Sequence, residues 1–241
     1  MQEHPTVDDL TIELFADGAD IESIRALAEN PLIAGFTTNP TLLRKAGVVN
    51  YEAFGRELLA VIPDRPVSFE VFADEPSEIE QQALKLSSWG DNVFVKVPVT
   101  TTDGVSTVAT VRRLSDQGVQ LNVTALMTDQ QVAQVVPALA GGPACNISVF
   151  AGRVADTGRD PVPMMRRSLE HLSGHDNIKL IWASPRELLN LFQADSIGCH
   201  IITMTHDLLA KLPGVGKDLD QFSLETVQMF FDDAGASGYS L

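Results

Sequence analysis

The chain has 241 residues, 44% of them hydrophobic, enough for one large α/β barrel or two small domains with an ample core. Its formal net charge of −15 argues against nucleic acid or an anionic membrane as partner, yet leaves room for a local basic pocket that captures phosphate. The two cysteines, Cys145 and Cys199, have neither the number nor the spacing of a disulfide framework or metal site, and no apolar leader or membrane-length stretch is visible, so a soluble cytoplasmic protein is expected.

Short β-rich runs at 12–17, 35–39, 67–72, 92–99, 120–126, 145–150, 179–184 and 196–203 alternate with helix-period stretches. Helix-start signals open several connections: Pro76-Ser77-Glu78 before 76–89, Thr128-Asp129 before 128–140, and Ser223 before 223–234. Each connection is long enough to cross between parallel strands. Eight such units with no linker predict a single (β/α)8 TIM barrel over 1–241 with an extra C-terminal helix at 223–234. A doubly wound sheet would carry fewer strands and a glycine-rich first turn, which Asp17-Gly18-Ala19-Asp20 lacks. The last helix has Phe222, Val227, Phe230 and Phe231 as apolar members, and it either packs on its own barrel or forms a subunit contact.

Lys96 lies in Asn-Val-Phe-Val-Lys-Val-Pro-Val (92–99), a run apolar enough to be a fully buried strand. A lysine there needs a carboxylate partner or loses its proton, and a neutral amine is a carbonyl nucleophile. On this strand alone, a packed stem with its head at the barrel rim is an equal alternative.

Alternate residues of a barrel strand face the lumen and the helix layer, so polar positions can be tested for shared parity. The expected inward sets are Glu13, Phe15 and Asp17; Thr37 and Asn39; Ser68, Glu70 and Phe72; Lys96; Asn122 and Thr124; Asn146, Ser148 and Phe150; and Trp182 and Ser184. Seven strands thus aim polar or ionisable groups at one lumen, mostly near their C-terminal ends, where active sites of this architecture form. Singly these have structural alternatives: Asp17 or Asn39 as a helix cap, Ser148 on a backbone carbonyl. Glu70, flanked by Phe69, Val71 and Phe72, needs a buried partner, and Lys96 is the obvious one. A structural pair is one outcome, but together the set reads as a site.

The segments Gly35-Phe36-Thr37-Thr38-Asn39-Pro40-Thr41, Val95-Lys96-Val97-Pro98-Val99-Thr100, Asn122-Val123-Thr124-Ala125, Ile147-Ser148-Val149-Phe150-Ala151-Gly152-Arg153 and Ala183-Ser184-Pro185-Arg186 resemble, in order, the transaldolase family and its short, fructose-6-phosphate aldolase-like subfamily. The resemblance implies a Schiff base between Lys96 and a ketose phosphate, no cofactor or metal, and transfer of a three-carbon dihydroxyacetone unit to an aldose phosphate in the pentose phosphate pathway. It implies Asp17 as the base on the donor C4 hydroxyl, with Glu70 and Thr124 relaying protons through a held water. Thr37, Asn39, Asn122, Ser148 and Phe150 would hold the donor, and Arg153, Ser184 and Arg186 would bind phosphate. Members of the subfamily commonly form ring-built homo-oligomers. Two departures fall at the phosphate end, Pro185 in place of the usual aromatic residue and Val149 in place of the usual proline. The extension ahead of strand one has no assigned role.

Three rival functions stand against transfer on this sequence. A fructose-6-phosphate aldolase-like enzyme releasing dihydroxyacetone resembles a pattern with Gln at position 70 and Tyr at position 150; this chain has Glu70 and Phe150, which favours transfer. A non-catalytic sugar-phosphate-binding barrel would not need Lys96, Asp17, Glu70, Asn39 and Thr124 together. A metal-dependent aldolase has little support, since His171/His175 is the only i, i+4 histidine pair and sits in a polar stretch.

Overall fold

The computed structural model describes residues 6–238 and closes eight parallel strands into a barrel in chain order, β1 through β8, with β8 returning to β1. The first half comprises β1 (Glu13–Asp17), α1 (Ile21–Ala28), β2 (Ile33–Thr37), α2 (Pro40–Lys45), α3 (Tyr51–Val61), β3 (Val67–Glu70), α4 (Pro76–Ser87) and β4 (Val93–Pro98). The second half comprises α5 (Val108–Asp116), β5 (Leu121–Leu126), α6 (Asp129–Leu139), β6 (Cys145–Val149), α7 (Ala151–Ala155), α8 (Val162–His171), β7 (Ile178–Trp182), α9 (Leu189–Ser196) and β8 (Ile201–Thr205). Two further helices, α10 (His206–Leu209) and α11 (Leu219–Ser237), follow β8. Residues 1–5, among them His4 and most of the polar leader, lie outside the described range.

Two apolar layers account for the closure. Val67, Phe69, Val95, Val97, Leu121, Val123 and Ile147 point outward and are sealed by the helices in one large core. Inside, Phe15, Ile181, Ala183 and Ile201 form a separate plug in the lumen. Strands buried on both faces read as near-continuous apolar runs, which is why β4 is Val-Phe-Val-Lys-Val-Pro with a polar interruption only at Lys96.

Local chemistry sets the helix starts. Asp20 Oδ1 accepts from Ser23 N and caps α1, which releases Asp17 from that duty. Asn39 caps α2 through Leu42 N at 3.0 Å with Pro40 at the first helical position. Thr128 and Gln131 form a reciprocal capping box on α6. The extension is anchored where it meets the barrel: Asp195 Oδ1 accepts from Thr11 N, Thr11 Oγ1 and Ile12 N.

Several elements differ from the sequence expectation. The eighth strand runs 201–205 rather than 196–203, because α9 continues to Ser196 and Gly198 turns the chain at φ +74°. Trp182 faces the helix-side core and Ile181 and Ala183 face the lumen, reversing the expected parity of β7. Phe72 lies beyond the end of β3, 54% exposed against Tyr51, and does not enter the lumen. Asp218, not Ser223, caps the last helix, which spans 219–237. His175 falls past the end of α8, so the His171/His175 spacing is not realised on one helix.

Candidate active site

The C-terminal mouth of the barrel holds a cavity of about 500 Å³ lined by residues of every strand but β7, whose following loop supplies Ala183 and Ser184. It brings together Asp17, Thr37, Asn39, Glu70, Lys96, Thr124, Ser148, Phe150, Arg153, Ser184 and Arg186. Asn122 sits one layer deeper, fully buried beneath Ser148.

The register pairs Glu70 with Lys96 and Lys96 with Asn122 on successive strands. Lys96 is 5% exposed, and its Nζ lies 2.8 Å from Glu70 Oε2 and 2.9 Å from the Thr38 carbonyl. The amine is therefore seated by one charge and one backbone dipole, with its remaining side toward the cavity.

Across the mouth, Asp17 Oδ1 accepts from Thr37 Oγ1 at 2.8 Å and Asp17 Oδ2 accepts from Asn39 Nδ2 at 3.2 Å. Thr37 has a single hydroxyl proton, and with that directed at Asp17 the 2.6 Å contact to Thr203 Oγ1 makes Thr203 the donor. Burial pushes the Asp17 carboxyl above its usual range, opposed by the Lys96 ammonium and by the Thr37 and Asn39 hydrogen bonds. Asn39 thus serves as cap and as donor to Asp17 at once, one function for each end of its amide.

Below the lysine, Ser148 Oγ donates to Asn122 Oδ1 at 2.7 Å, and Asn122 Nδ2 donates to Ser68 Oγ at 3.1 Å. This chain fixes the Asn122 amide and leaves Ser148 Oγ able to accept. Thr124 is the exception: its buried hydroxyl has no hydrogen-bond partner among the described residues. The next residue, Ala125, has φ +65°, and the β5–β6 register shifts between Val123 and Leu126. The irregularity re-aims the strand end toward the cavity.

The cationic end is built by α7 and the β7–α9 loop. Arg186 Nε and Nη2 grip Asp156, with Nη2 to Oδ2 at 2.5 Å, while Nη1 donates to Ser184 Oγ at 3.1 Å. Arg153 stands over the Phe150 ring at 5.4 Å. Asp156 is held below the usual carboxylate range by its hydrogen bonds to Arg186. The two segments touch closely: a Cβ on Gly152 would come within 1.6 Å of the Ser184 carbonyl, and Ser184 itself adopts φ +61°. Of the two sequence departures noted above, Pro185 lines the cavity, whereas Val149 is buried in the helix-side core and does not reach it.

Four participants were not expected from sequence. Thr205 lies beyond the expected end of the eighth strand, and Thr203, inside it, carries no assigned face; both match the lumen parity once the strand is set at 201–205. Lys45 reaches the cavity from the end of α2, and Asp156 meets Arg186 from 30 residues away, a pairing with no local signal.

The Transaldolase/Fructose-6-phosphate aldolase family model matches residues 14–240. A probable transaldolase of Dehalococcoides mccartyi is 32% identical over 202 residues, covering 83% of this chain and 90% of that protein. A probable transaldolase of Streptococcus equi subsp. zooepidemicus is 34% identical over 203 residues, with 83% and 90% covered, and probable transaldolase 2 of Listeria monocytogenes is 34% identical over 202 residues, with 83% and 88% covered. The crystal structure of KGPDC from Streptococcus mutans in complex with D-R5P shares the barrel at a TM-score of 0.54 and 10% identity, covering 80% of this chain and 88% of that one. With a barrel of this kind and a match running almost end to end, the chain belongs to the transaldolase/fructose-6-phosphate aldolase family.

Proposed function

We propose that the protein is a transaldolase acting through a Schiff base on Lys96, moving a three-carbon dihydroxyacetone unit from fructose 6-phosphate or sedoheptulose 7-phosphate to erythrose 4-phosphate or glyceraldehyde 3-phosphate. The observation that carries the reading is a buried lysine 2.8 Å from a carboxylate, with a second, desolvated carboxylate in the same cavity.

The chemistry assigns the groups as follows. Lys96 passes a proton to Glu70 and its amine adds to the ketose C2 carbonyl, giving a carbinolamine. Glu70 returns that proton to the departing hydroxyl, with Thr124, whose hydroxyl lacks a partner among the described residues, holding the water involved. The iminium then accepts the electron pair of the C3–C4 bond as Asp17 takes the C4 hydroxyl proton, releasing an aldose phosphate and leaving an enamine. Addition to the acceptor aldehyde reverses these steps, Asp17 returning the proton. Asn39 and Ser148 hold donor hydroxyls, and Asn122, expected from sequence to do the same, lies beneath the cavity and acts by fixing Ser148, while Thr37 fixes the base and Phe150 walls the pocket. Arg153, with Arg186 and Ser184, receives the phosphate.

Glu70 and Phe150, where the aldolase branch resembles Gln and Tyr, support transfer over release. The test sets fructose 6-phosphate/erythrose 4-phosphate exchange against dihydroxyacetone release, with borohydride trapping in parallel. A three-carbon adduct on Lys96 and slow release without acceptor are expected; rapid release would favour the aldolase, and no adduct would overturn the Schiff-base reading.

Two further inferences concern context. The exposed apolar residues of α11 support a homo-oligomer, with a second copy of this chain as partner. Two buried free thiols are in keeping with a reducing cytoplasm. Among the described residues no helix is long and apolar enough to cross a membrane.

A further inference from the structure

The β2–β3 ladder breaks off beside the lysine. Phe36 N donates to Pro66 O at 2.8 Å and Thr38 N donates to Ser68 O at 3.1 Å. Parallel strands alternate in this way, so the following bond of the series would run from Glu70 N to the Thr38 carbonyl. Instead Glu70 N donates to the Tyr51 hydroxyl at 2.9 Å, and the Thr38 carbonyl accepts from Lys96 Nζ at 2.9 Å. The Tyr51 hydroxyl gives its own proton to Glu70 O at 3.2 Å, so one side-chain oxygen satisfies both backbone groups of Glu70.

Tyr51 opens α3 on the helix side of the barrel and does not line the cavity. Its ring is confined by Phe72 at 4.6 Å, Trp89 at 5.6 Å and Phe69 at 6.1 Å between centroids. Gly55, one turn further along α3, lets Trp89 approach: a Cβ there would fall 2.3 Å from its ring. The phenol is therefore held at one place against the strand end, and burial pushes its acidity weaker than that of a free tyrosine, so it stays a donor.

We propose that Tyr51 is a positioning residue for the Lys96–Glu70 pair, its phenol taking the place of the missing ladder bond so that the Thr38 carbonyl and the Glu70 carboxylate converge on one ammonium. This rests on the Schiff-base reading above and adds to it a residue that touches no substrate. Without the phenol, Glu70 N has the Thr38 carbonyl as its nearest ladder acceptor, and closing that bond shifts the carboxylate and crowds the lysine's seat.

The decisive variant is Tyr51→Phe, which keeps the aromatic stack. In fructose 6-phosphate/erythrose 4-phosphate exchange, kcat should fall about tenfold, the rate equivalent of one buried hydrogen bond, with KM within about twofold. In a Glu70→Gln background the same change should cost less than about twofold, because the residue acts through that carboxylate. Amide hydrogen exchange at Glu70 should accelerate in Tyr51→Phe, a readout independent of turnover. Phe72→Leu, which disturbs the same stack and keeps the phenol, should lower Tm while leaving kcat intact. Unchanged kcat in Tyr51→Phe, an equal loss in both backgrounds, or a loss of kcat in Phe72→Leu as large as in Tyr51→Phe would overturn the proposal. Borohydride trapping of the native protein with fructose 6-phosphate separates the two levels. An adduct on native Lys96 with full kcat in Tyr51→Phe defeats only the role of Tyr51, whereas no native adduct defeats the Schiff-base reading and this proposal together.

Discussion

Lys96 Nζ and Glu70 Oε2 lie 2.8 Å apart on adjacent strands whose register sets the two residues side by side, with only 7% and 17% of their side chains exposed. Removing one member strands the other. Breaking a buried pair from one side typically costs about 3–5 kcal/mol, whereas removing both charges together costs far less. Lys96→Met should therefore lower Tm markedly, and Lys96→Met/Glu70→Gln should recover much of it in thermal denaturation. If the double variant is no more stable than the single, the pair is not the electrostatic unit its geometry describes.

Catalytically the same pair predicts a division of labour. Lys96→Met should abolish borohydride trapping of a ketose phosphate, whereas Glu70→Gln should keep the nucleophile and slow its addition by roughly 10²–10⁴-fold, the range for a lost acid–base group. Rapid-quench trapping measures this directly, and native trapping rates in Glu70→Gln would remove Glu70 from the proton relay.

Asp17 predicts a pH dependence. Burial raises its carboxyl while Lys96 and its hydrogen bonds oppose the rise, so the base becomes active above the ordinary carboxylate range. A base works deprotonated, so carbon–carbon cleavage should fall as pH drops through this raised value, and the limb should vanish with Asp17→Asn. For stability the sign is opposite: a raised folded-state pKa means the native protein binds the proton more tightly, so this group's contribution weakens as pH rises from the unfolded value through the folded one. Lys96→Met removes the nearby cation and should raise the Asp17 pKa further, which carboxylate infrared or NMR titration would read; a lower value would contradict the Coulombic link.

Most of this site is visible in sequence because a barrel strand has a period of two and a buried face tolerates few polar residues. Asp17, Glu70, Lys96 and Thr124 stand out as polar interruptions in apolar runs at one parity, and the family-like segments contain Lys96 and Thr124 among them. In β7 the expected parity rests on Ser184, which lies past the strand end at φ +61°, whereas the strand's own polar residue, Lys179, shares the parity of Ile181. In Ile-Lys-Leu-Ile-Trp, the run of β7, the bulky Trp182 fits the helix layer and the smaller Ile181 joins Phe15 in the plug, a choice made by packing across the lumen. Thr205 falls outside the expected eighth strand, since α9 consumes residues that look strand-like. The Tyr51 and Asp156 contacts join chain segments 19 and 30 residues apart, through helices whose placement depends on the whole barrel.

The cationic end predicts unequal arginines. Arg186 is clamped by Asp156 and Ser184, while Arg153 has no ion pair among the described residues and lies against Phe150. Loss of a charged hydrogen bond to phosphate costs about 1.5–3 kcal/mol, so Arg153→Ala should raise KM for fructose 6-phosphate by roughly 10–150-fold with little change in kcat. Unphosphorylated fructose should show no such penalty. If both sugars weaken equally, Arg153 shapes the pocket and does not read the phosphate.

The last helix carries the prediction about assembly. No residue of α11 is buried, and seven large apolar side chains, Leu219, Phe222, Leu224, Val227, Met229, Phe230 and Phe231, are each at least half exposed. Leu224 and Phe231 lie nearly opposite Phe222 and Met229 around the helix, so the apolar surface is not one stripe, and a helix apolar on most sides calls for cover on most sides. The barrel of its own chain does not provide that cover, and a second copy is the occupant proposed above. In the full chain, Phe230→Asp with Phe231→Asp should lower the oligomer mass in sedimentation, and because these residues lie outside the cavity, the far-ultraviolet signal of the barrel should persist. A native protein that sediments as a monomer at micromolar concentration would defeat the assignment, since an exposed patch of this size would then have gone uncovered without self-association.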